Sequence, residues 1–320
     1  MLFKTELMSR EQFWRRSYQN RPYLVSATDE RLADRLRYIV ENFTTLTPSG
    51  QVGFLSPEPF GKYWMEMAAH VLEAYKARNG HPPPMFLKDA MVPKPTYPNV
   101  PPAVRALKDV TLPAQGTYLV KLGRYDHIRD LYEHGRIRIG AARGYSDSSL
   151  NAAVRDNELR LVRYALQSEI KMETFDKVTG QSRRIEPIGD VTHTMESTTD
   201  FYVYCMSQTL DIRLFSAFEY DACVIFHNPD EFIKRMFHAV QSELLGWIPL
   251  GTPVEYYDPY CCKPSDVTPL TSKHHRFWYQ HEYRLGWLPP TDALVDALNP
   301  IFVELGSLKD VSQFIRLENT

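Results

Sequence analysis

The sequence predicts an α+β protein, and three observations carry that expectation. Apolar residues recur at helical spacing through residues 9–80. A stretch from 82 to 113 then holds nine of the 23 prolines. Beyond it, short apolar or alternating runs are mixed with helices, without the regular strand–helix alternation of a doubly wound nucleotide fold, so antiparallel or mixed sheets are expected.

Taken in order, Ser9 and Gln12 have capping-box spacing ahead of Phe13-Trp14. In DERLADRLRYIVENF, residues 29–43, Leu32, Leu36, Ile39, Val40 and Phe43 share one helical face. Ser56-Pro57-Glu58 has the composition of a helix start. Phe60, Trp64, Met67, Ala68, Val71 and Tyr75 follow at helical spacing until Asn79-Gly80 ends it, and are expected in the core. The prolines of 82–113, including Pro82-Pro83-Pro84 and Pro101-Pro102, suit neither a helix nor a central strand, so this stretch reads as an extended connector. It divides the chain into a helical N-terminal region, 1–105, and a second domain, 106–320.

In the second domain TYLVKL (117–122) reads as a strand. YDHIRDLYEHG (125–135) reads as a helix ended by Gly135, and RIRIGA (136–141) as an alternating strand. Residues 151–171 read as helix followed by strand. FYVYCMSQ (201–208) and ACVIFH (222–227) suggest buried strands, and residues 229–246 a helix with Phe232, Met236, Phe237, Val240 and Leu244 on one face. Residues 253–257 and 277–287 read as strands. The latter places Trp278, Gln280, Glu282 and Arg284 on one side and Phe277, Tyr279, His281 and Tyr283 on the other.

Charge is balanced, with 37 Lys+Arg against 39 Asp+Glu and a net of −2 over 320 residues. That composition excludes a disordered tail, a collagen-like fibre and a coiled-coil rod. It also argues against tight duplex binding, which phosphate neutralisation usually makes basic, while leaving a local basic groove or an anionic small molecule open. No apolar run reaches the roughly 18–20 residues of a membrane span. Lys4, Glu6 and Arg10 interrupt the first apolar residues, so a signal peptide is not expected. The four cysteines, Cys205, Cys223, Cys261 and Cys262, do not make a disulfide framework. Adjacent Cys261-Cys262 lacks C-x-x-C spacing. A zinc site with His274-His275 is therefore less favoured than reduced thiols in a cytoplasmic protein, and no metal is expected.

There is no G-x-G-x-x-G after a strand, no G-x-x-x-x-G-K-[ST], no H-E-x-x-H and no G-x-S-x-G, which removes most of the weight from kinase, P-loop, zincin and common hydrolase readings. Two clusters remain. Glu282 sits among Trp278, Tyr279, Tyr283 and Trp287, which lower the local dielectric, with Arg284 on its own face and Gln280 about 7 Å away along a strand. Lys121, Arg124 and His127 form a polar crossing between the first strand and its helix, where cations suit a pyrophosphate.

The succession of strand, polar pair, helix ending in glycine and strand resembles ADP-ribosyltransferases, in particular the DarT-like toxins that modify nucleic-acid bases. Their N-L-x-x-I-L-x-x-G-L pattern falls without a gap on His127–Arg136. Lys121 stands where that family has His, and His127 where it has Asn. The resemblance covers about residues 117–290 and extends to Gln280-His281-Glu282, which fits the family's Q-x-E. The segment SKHHRFWYQHEYR also resembles a W-x-x-E-x-E-Y-R pattern of bacterial phage-defence proteins.

The resemblance implies a split β-sheet core, NAD as co-substrate, and catalytic roles for Glu282 and Arg155, with Arg160 second. It assigns Lys121 or Arg124 to the pyrophosphate and Ser207 to the support of Glu282. It assigns Gln280 to choosing an amide or base nitrogen as acceptor. It further implies a toxin or antiviral-defence effector acting on single-stranded RNA or DNA, with an antitoxin or chaperone partner and no membrane. Arg143, Arg183-Arg184 and Lys273-His274-His275-Arg276 are the candidate groove cations. Two alternatives stand beside it. One is a non-catalytic interaction or sensor protein of the same fold, and the other is a transferase acting on protein side chains.

Overall fold

Short local signals start each N-terminal helix. In the computed structural model, which describes residues 9–81, 97–187, 191–290 and 293–318, Ser9 accepts the Gln12 N–H and the Gln12 side chain accepts the Ser9 N–H, opening α1 (Arg10–Asn20). Thr28 accepts from Arg31 N–H at the start of α2 (Asp29–Phe43). A small hairpin, β1 (Thr44–Leu46) and β2 (Val52–Phe54), leads to α3 (Lys62–Asn79). Tyr18, Leu24, Leu32, Leu36, Ile39, Trp64, Met67, Val71 and Tyr75 bury a shared core between these helices.

Two expectations are corrected here. The third helix begins at Lys62 and not at Pro57, because the Glu58 backbone is extended (φ −107°, ψ 140°). Phe60 is consequently 53% exposed and rests against the Trp278 ring, 5.2 Å between centroids. The proline-rich connector falls partly on 82–96, outside the described residues. Its remainder is not extended throughout: Val100–Leu107 is helix α4, with Pro101-Pro102 in the first turn, where the missing N–H has no helical partner to lose. Arg105 lies within that helix.

The rest of the chain builds a mixed α+β body. In order follow β3 (Leu119–Gly123), α5 (Tyr125–His134), β4 (Arg136–Ala141), β5 (Arg160–Ala165), β6 (Met172–Phe175), β7 (Ser182–Ile185), β8 (Val191–Glu196), β9 (Tyr202–Ser207), α6 (Arg213–Ala217), β10 (Ala222–Phe226), α7 (Pro229–Gln241), β11 (Ile248–Pro253), β12 (Glu255–Tyr257), β13 (Ser272–His274), β14 (Glu282–Leu288), β15 (Ile301–Glu304) and β16 (Ser312–Arg316). Gly135 ends α5 at φ 66°, and a Cβ there would meet the Gly306 carbonyl. Residues 151–158, expected to be helical, instead form turns that lead into β5.

Among the described residues the main sheet has eight strands, all antiparallel, running β11-β14-β9-β3-β10-β16 with β4 and β15 beside it. In β10, Ala222, Val224 and Phe226 pack under α5 and α7, while Cys223 and Ile225 pack with residues of α4 and α6 on the opposite face. Covering both faces explains why this strand reads as continuously apolar. β9 is the hinge of the sheet. One edge pairs with β14 from Ser207↔Glu282 to Tyr202↔Trp287. The other edge divides, Ser207 pairing with Val120 of β3 and Tyr202 and Val203 with β4.

The N-terminal helices hold the approach to β14. Buried Asn42 of α2 donates to the Arg276 carbonyl (3.0 Å) and accepts the Tyr279 N–H (2.9 Å). Arg35 makes a bidentate pair with Asp258 (2.8 and 2.5 Å), both buried. The Asn42 bonds grip His275–Gln280, a 3-10 turn followed by His281 in the left-handed region (φ 43°), while the Arg35–Asp258 pair ties α2 to the chain just after β12. The run 277–287 is therefore not one strand; β14 starts at Glu282. Alternation of polar and aromatic residues persists through the turn, so the pattern alone could not reveal the break.

Burial would push the Asp258 carboxyl up, but the Arg35 guanidinium holds it well below its ordinary range. Arg35→Met leaves that carboxylate without its partner and is expected to lower the unfolding free energy at pH 7 by about 3–5 kcal/mol in urea melts. Stability within about 1 kcal/mol of wild type would show that the pair does not hold this junction.

Candidate active site

Where β9 parts from β3 and β4, the sheet opens into a cleft of about 110 Å³, or about 620 Å³ counted to its mouth. β3 contributes Lys121, β9 contributes Cys205 and Ser207, and β14 contributes its first residue, Glu282. The 3-10 turn delivers Gln280, and β13 delivers Lys273. One wall is the 151–158 segment, through Ala153, Val154 and Glu158. Phe218 and Tyr220 form a second, aromatic wall, and Tyr145, Val120, Leu122 and Met206 also line the cleft.

Four of the six residues expected from the sequence, Lys121, Ser207, Gln280 and Glu282, thus line one cleft. Arg155 and Arg124 do not. Arg155 is exposed just beyond the Ala153-Val154 wall and donates to the Ser148 carbonyl (3.4 Å). Arg124 is exposed ahead of α5, and its charge acts on Tyr220 at the cleft.

At the floor lies a closed ring of four buried charges. Glu282 accepts from Lys273 Nζ (2.7 Å) on one oxygen and from Arg284 Nε (2.6 Å) on the other. Arg284 Nη2 also donates to Glu158 Oε2 (2.5 Å), and Lys273 Nζ lies 3.4 Å from Glu158 Oε1. Glu282 is 4% exposed and Arg284 is 1% exposed. Burial pushes Glu282 up, but Arg284 and Lys273 outweigh it and hold the carboxyl well below its ordinary value. Burial opposes the Lys273 charge in turn, and Glu282 and Glu158 raise it overall.

Lys121 is placed differently. On the edge of β9 that faces away from β14, between its pairings with β3 and β4, the Cys205 carbonyl accepts from Lys121 Nζ (2.7 Å), which also sits 4.2 Å over the Tyr204 ring. Burial lowers the pKa of this ammonium, with Glu282 acting in the opposite sense. Among the described residues it makes no ion pair. Lys121, Lys273 and Arg284 therefore face Glu158 and Glu282 with one positive charge in excess.

Ser207 lies opposite Glu282 in register, yet its hydroxyl serves the backbone. Its Oγ is 2.7 Å from the Thr209 carbonyl and 2.8 Å from the Gln280 carbonyl, so it fixes the turn before Glu282 and not the carboxylate. The Gln280 amide donates to the Ala153 carbonyl (2.8 Å) and joins the turn to the 151–158 wall.

The candidate groove cations also separate. Lys273 is spent in the charge ring, and His274 and His275 are desolvated, which lowers both and brings His275 to about 4. Arg276 pairs with Asp156 (3.5 Å). Arg143, Arg183 and Arg184 are exposed, the last two on the β6–β7 hairpin. Glu158 was not read from the sequence, nor was the ion-pairing role of Lys273, because neither has a local signature. Among the described residues no group of three or more His, Cys, Asp or Glu side chains is placed to hold a metal, and no helix is long and apolar enough to cross a membrane.

Comparison with protein-family models, with curated proteins and with solved structures finds no match. The geometry of the cleft therefore stands on its own.

A carboxyl with a depressed pKa stabilises the fold above its unfolded value, near 4.3, and that contribution is lost as pH falls. Glu282→Gln is expected to be destabilising at pH 7, with the gap to wild type shrinking from about pH 5 to pH 3 in urea unfolding. A gap independent of pH would contradict the assigned charge state.

Proposed function

We propose that the cleft cleaves NAD and transfers its ADP-ribose to a nitrogen on a base of single-stranded nucleic acid. The observation that supports this best is convergence. Lys121, Ser207, Gln280 and Glu282, singled out by their resemblance to ADP-ribosyltransferase positions, come from separate parts of the chain to one cleft at the division of the sheet.

In this reaction the bond between ribose C1′ and the nicotinamide nitrogen breaks. Nicotinamide leaves neutral with the electron pair, and the ribosyl cation is captured by the acceptor nitrogen, which loses a proton to solvent. An ionised Glu282 stabilises the developing positive charge. Each of its oxygens gives one acceptor site to a cation, so further sites remain for the ribose 2′-hydroxyl. The excess charge of Lys121 suits the pyrophosphate. Gln280, a neutral amide two residues before the glutamate, suits a base nitrogen. Arg184, on the same face of the β6–β7 hairpin as the 65% exposed Phe175, offers with it a cationic and stacking surface for the acceptor strand. On this reading the protein is a toxin or defence effector kept in check by an antitoxin or chaperone.

A second reading has one specific observation in its favour. Both Glu282 oxygens are already engaged, which suits a sensor that binds NAD without turning it over. Labelled NAD distinguishes the two. The transferase reading expects nicotinamide release and label in nuclease-sensitive material, with release falling at least ~100-fold in Glu282→Gln. Label in protease-sensitive material would move the acceptor to protein. Binding without release supports the sensor, and neither binding nor release overturns both.

A further inference from the structure

The ring of charges connects Glu282 to a wall of the cleft. Glu158 closes the ring and also ends the 151–158 segment, so the same side chain touches the charge machinery and fixes the wall. A second tie holds the segment where the Ala153 carbonyl accepts from Gln280. At the rim Asn151 donates to Glu219 (3.0 Å), in the turn that carries Phe218 and Tyr220. Both walls are thereby referenced to the residues around Glu282.

We propose that Glu158 and Lys273 are positioning residues: with Arg284 they clamp the Glu282 carboxylate in one orientation at the cleft floor, and Glu158 ties that orientation to the 151–158 wall. Glu282 needs such a clamp. It is the first residue of its strand, entered from a left-handed residue and a 3-10 turn, so its backbone approach is not set by strand geometry alone. Two donors on two different oxygens fix the plane of the carboxylate as well as its position. Glu158 fixes both donors in turn.

The groups that act on Glu282 come from every neighbouring element. Lys273 comes from β13, Arg284 from β14 and Lys121 from β3, and the wall supplies Glu158 and Asp156, the latter raised by burial and by Glu158 and facing Lys273 and Arg284. The Tyr256 hydroxyl, which accepts the Glu282 N–H (2.8 Å), comes from β12. Cys205 comes from β9, and Tyr145 follows β4. Burial raises the pKa of Tyr256, Cys205 and Tyr145, which keeps them neutral. The state of Glu282 is therefore set by the cations, with Glu158 holding them.

The test is a cycle of Lys273→Met, Glu158→Gln and the double variant in the full chain. Lys273→Met leaves two carboxylates sharing Arg284, whereas the double variant restores one carboxylate to one cation. NAD cleavage by wild type and by Glu158→Gln is expected to be flat from pH 8 to pH 5. Lys273→Met is expected to lose at least ~10-fold toward pH 5, with most of that acid-side loss recovered in the double variant. The kinetic arm rests on the transferase reading, so urea unfolding at pH 8 supplies an arm that does not. The double variant is expected to be more stable than Lys273→Met. A double variant whose stability loss equals the two single losses added together, or a flat pH profile for Lys273→Met, would overturn the clamp. Absence of NAD cleavage in every variant would overturn the transferase reading and leave the stability cycle to decide the clamp.

Discussion

Two carboxylates and two cations share a space that water barely reaches, and that requirement of local neutrality organises the centre of the molecule. An isolated buried charge would be strongly unfavourable, so Glu158, Lys273, Glu282 and Arg284 are acceptable only together. They come from three segments: Glu158 from the 151–158 wall, Lys273 from β13, and Glu282 and Arg284 from β14. Satisfying the charges therefore specifies how those segments meet. The two cations hold the Glu282 carboxyl well below its ordinary range, and the same contacts engage both of its oxygens.

The division of the sheet provides the space beside this ring. β9 is paired along one edge and only at its ends on the other, which leaves the Cys205 carbonyl without a strand partner. Lys121 supplies that hydrogen bond, and the residual positive charge of the cleft is its charge. The N-terminal helices take part in the same construction. Asn42 holds the segment that becomes the 3-10 turn, the Arg35–Asp258 pair ties the same helix to the chain just after β12, and the turn sets Gln280 against the wall. Residues before and after the proline-rich stretch thus meet within a few ångströms of the site.

Much of the fold was legible in the sequence. The 3.6-residue period of 29–43 matches α2, Gly135 marks the end of α5, and the uniform apolarity of ACVIFH matches a strand covered on both faces. The errors have physical causes. The alternating pattern of 277–287 survives a turn and a left-handed residue because the polar and aromatic residues are placed by partners from α2, which no local pattern encodes. Pro101-Pro102 was read as breaking a helix, although the first helical turn tolerates proline. Glu282, Gln280 and Lys121 stood out by residue type and setting, and Ser207 only through the resemblance; all four line the cleft. Glu158 was not, because its meaning lies in a pairing with Arg284 126 residues away. Lys273, in a basic run, looked like a surface cation until its carboxylate partners were seen.

Whether the cleft takes NAD is the claim on which the functional account turns. Its most direct measurement is a crystal structure of Glu282→Gln grown with NAD, a variant chosen to bind without turnover. The account predicts dinucleotide density between β9 and the 151–158 wall, with the pyrophosphate beside Lys121 and the nicotinamide ribose at position 282. An empty cleft at saturating NAD, or NAD bound away from Lys121 and position 282, would contradict it.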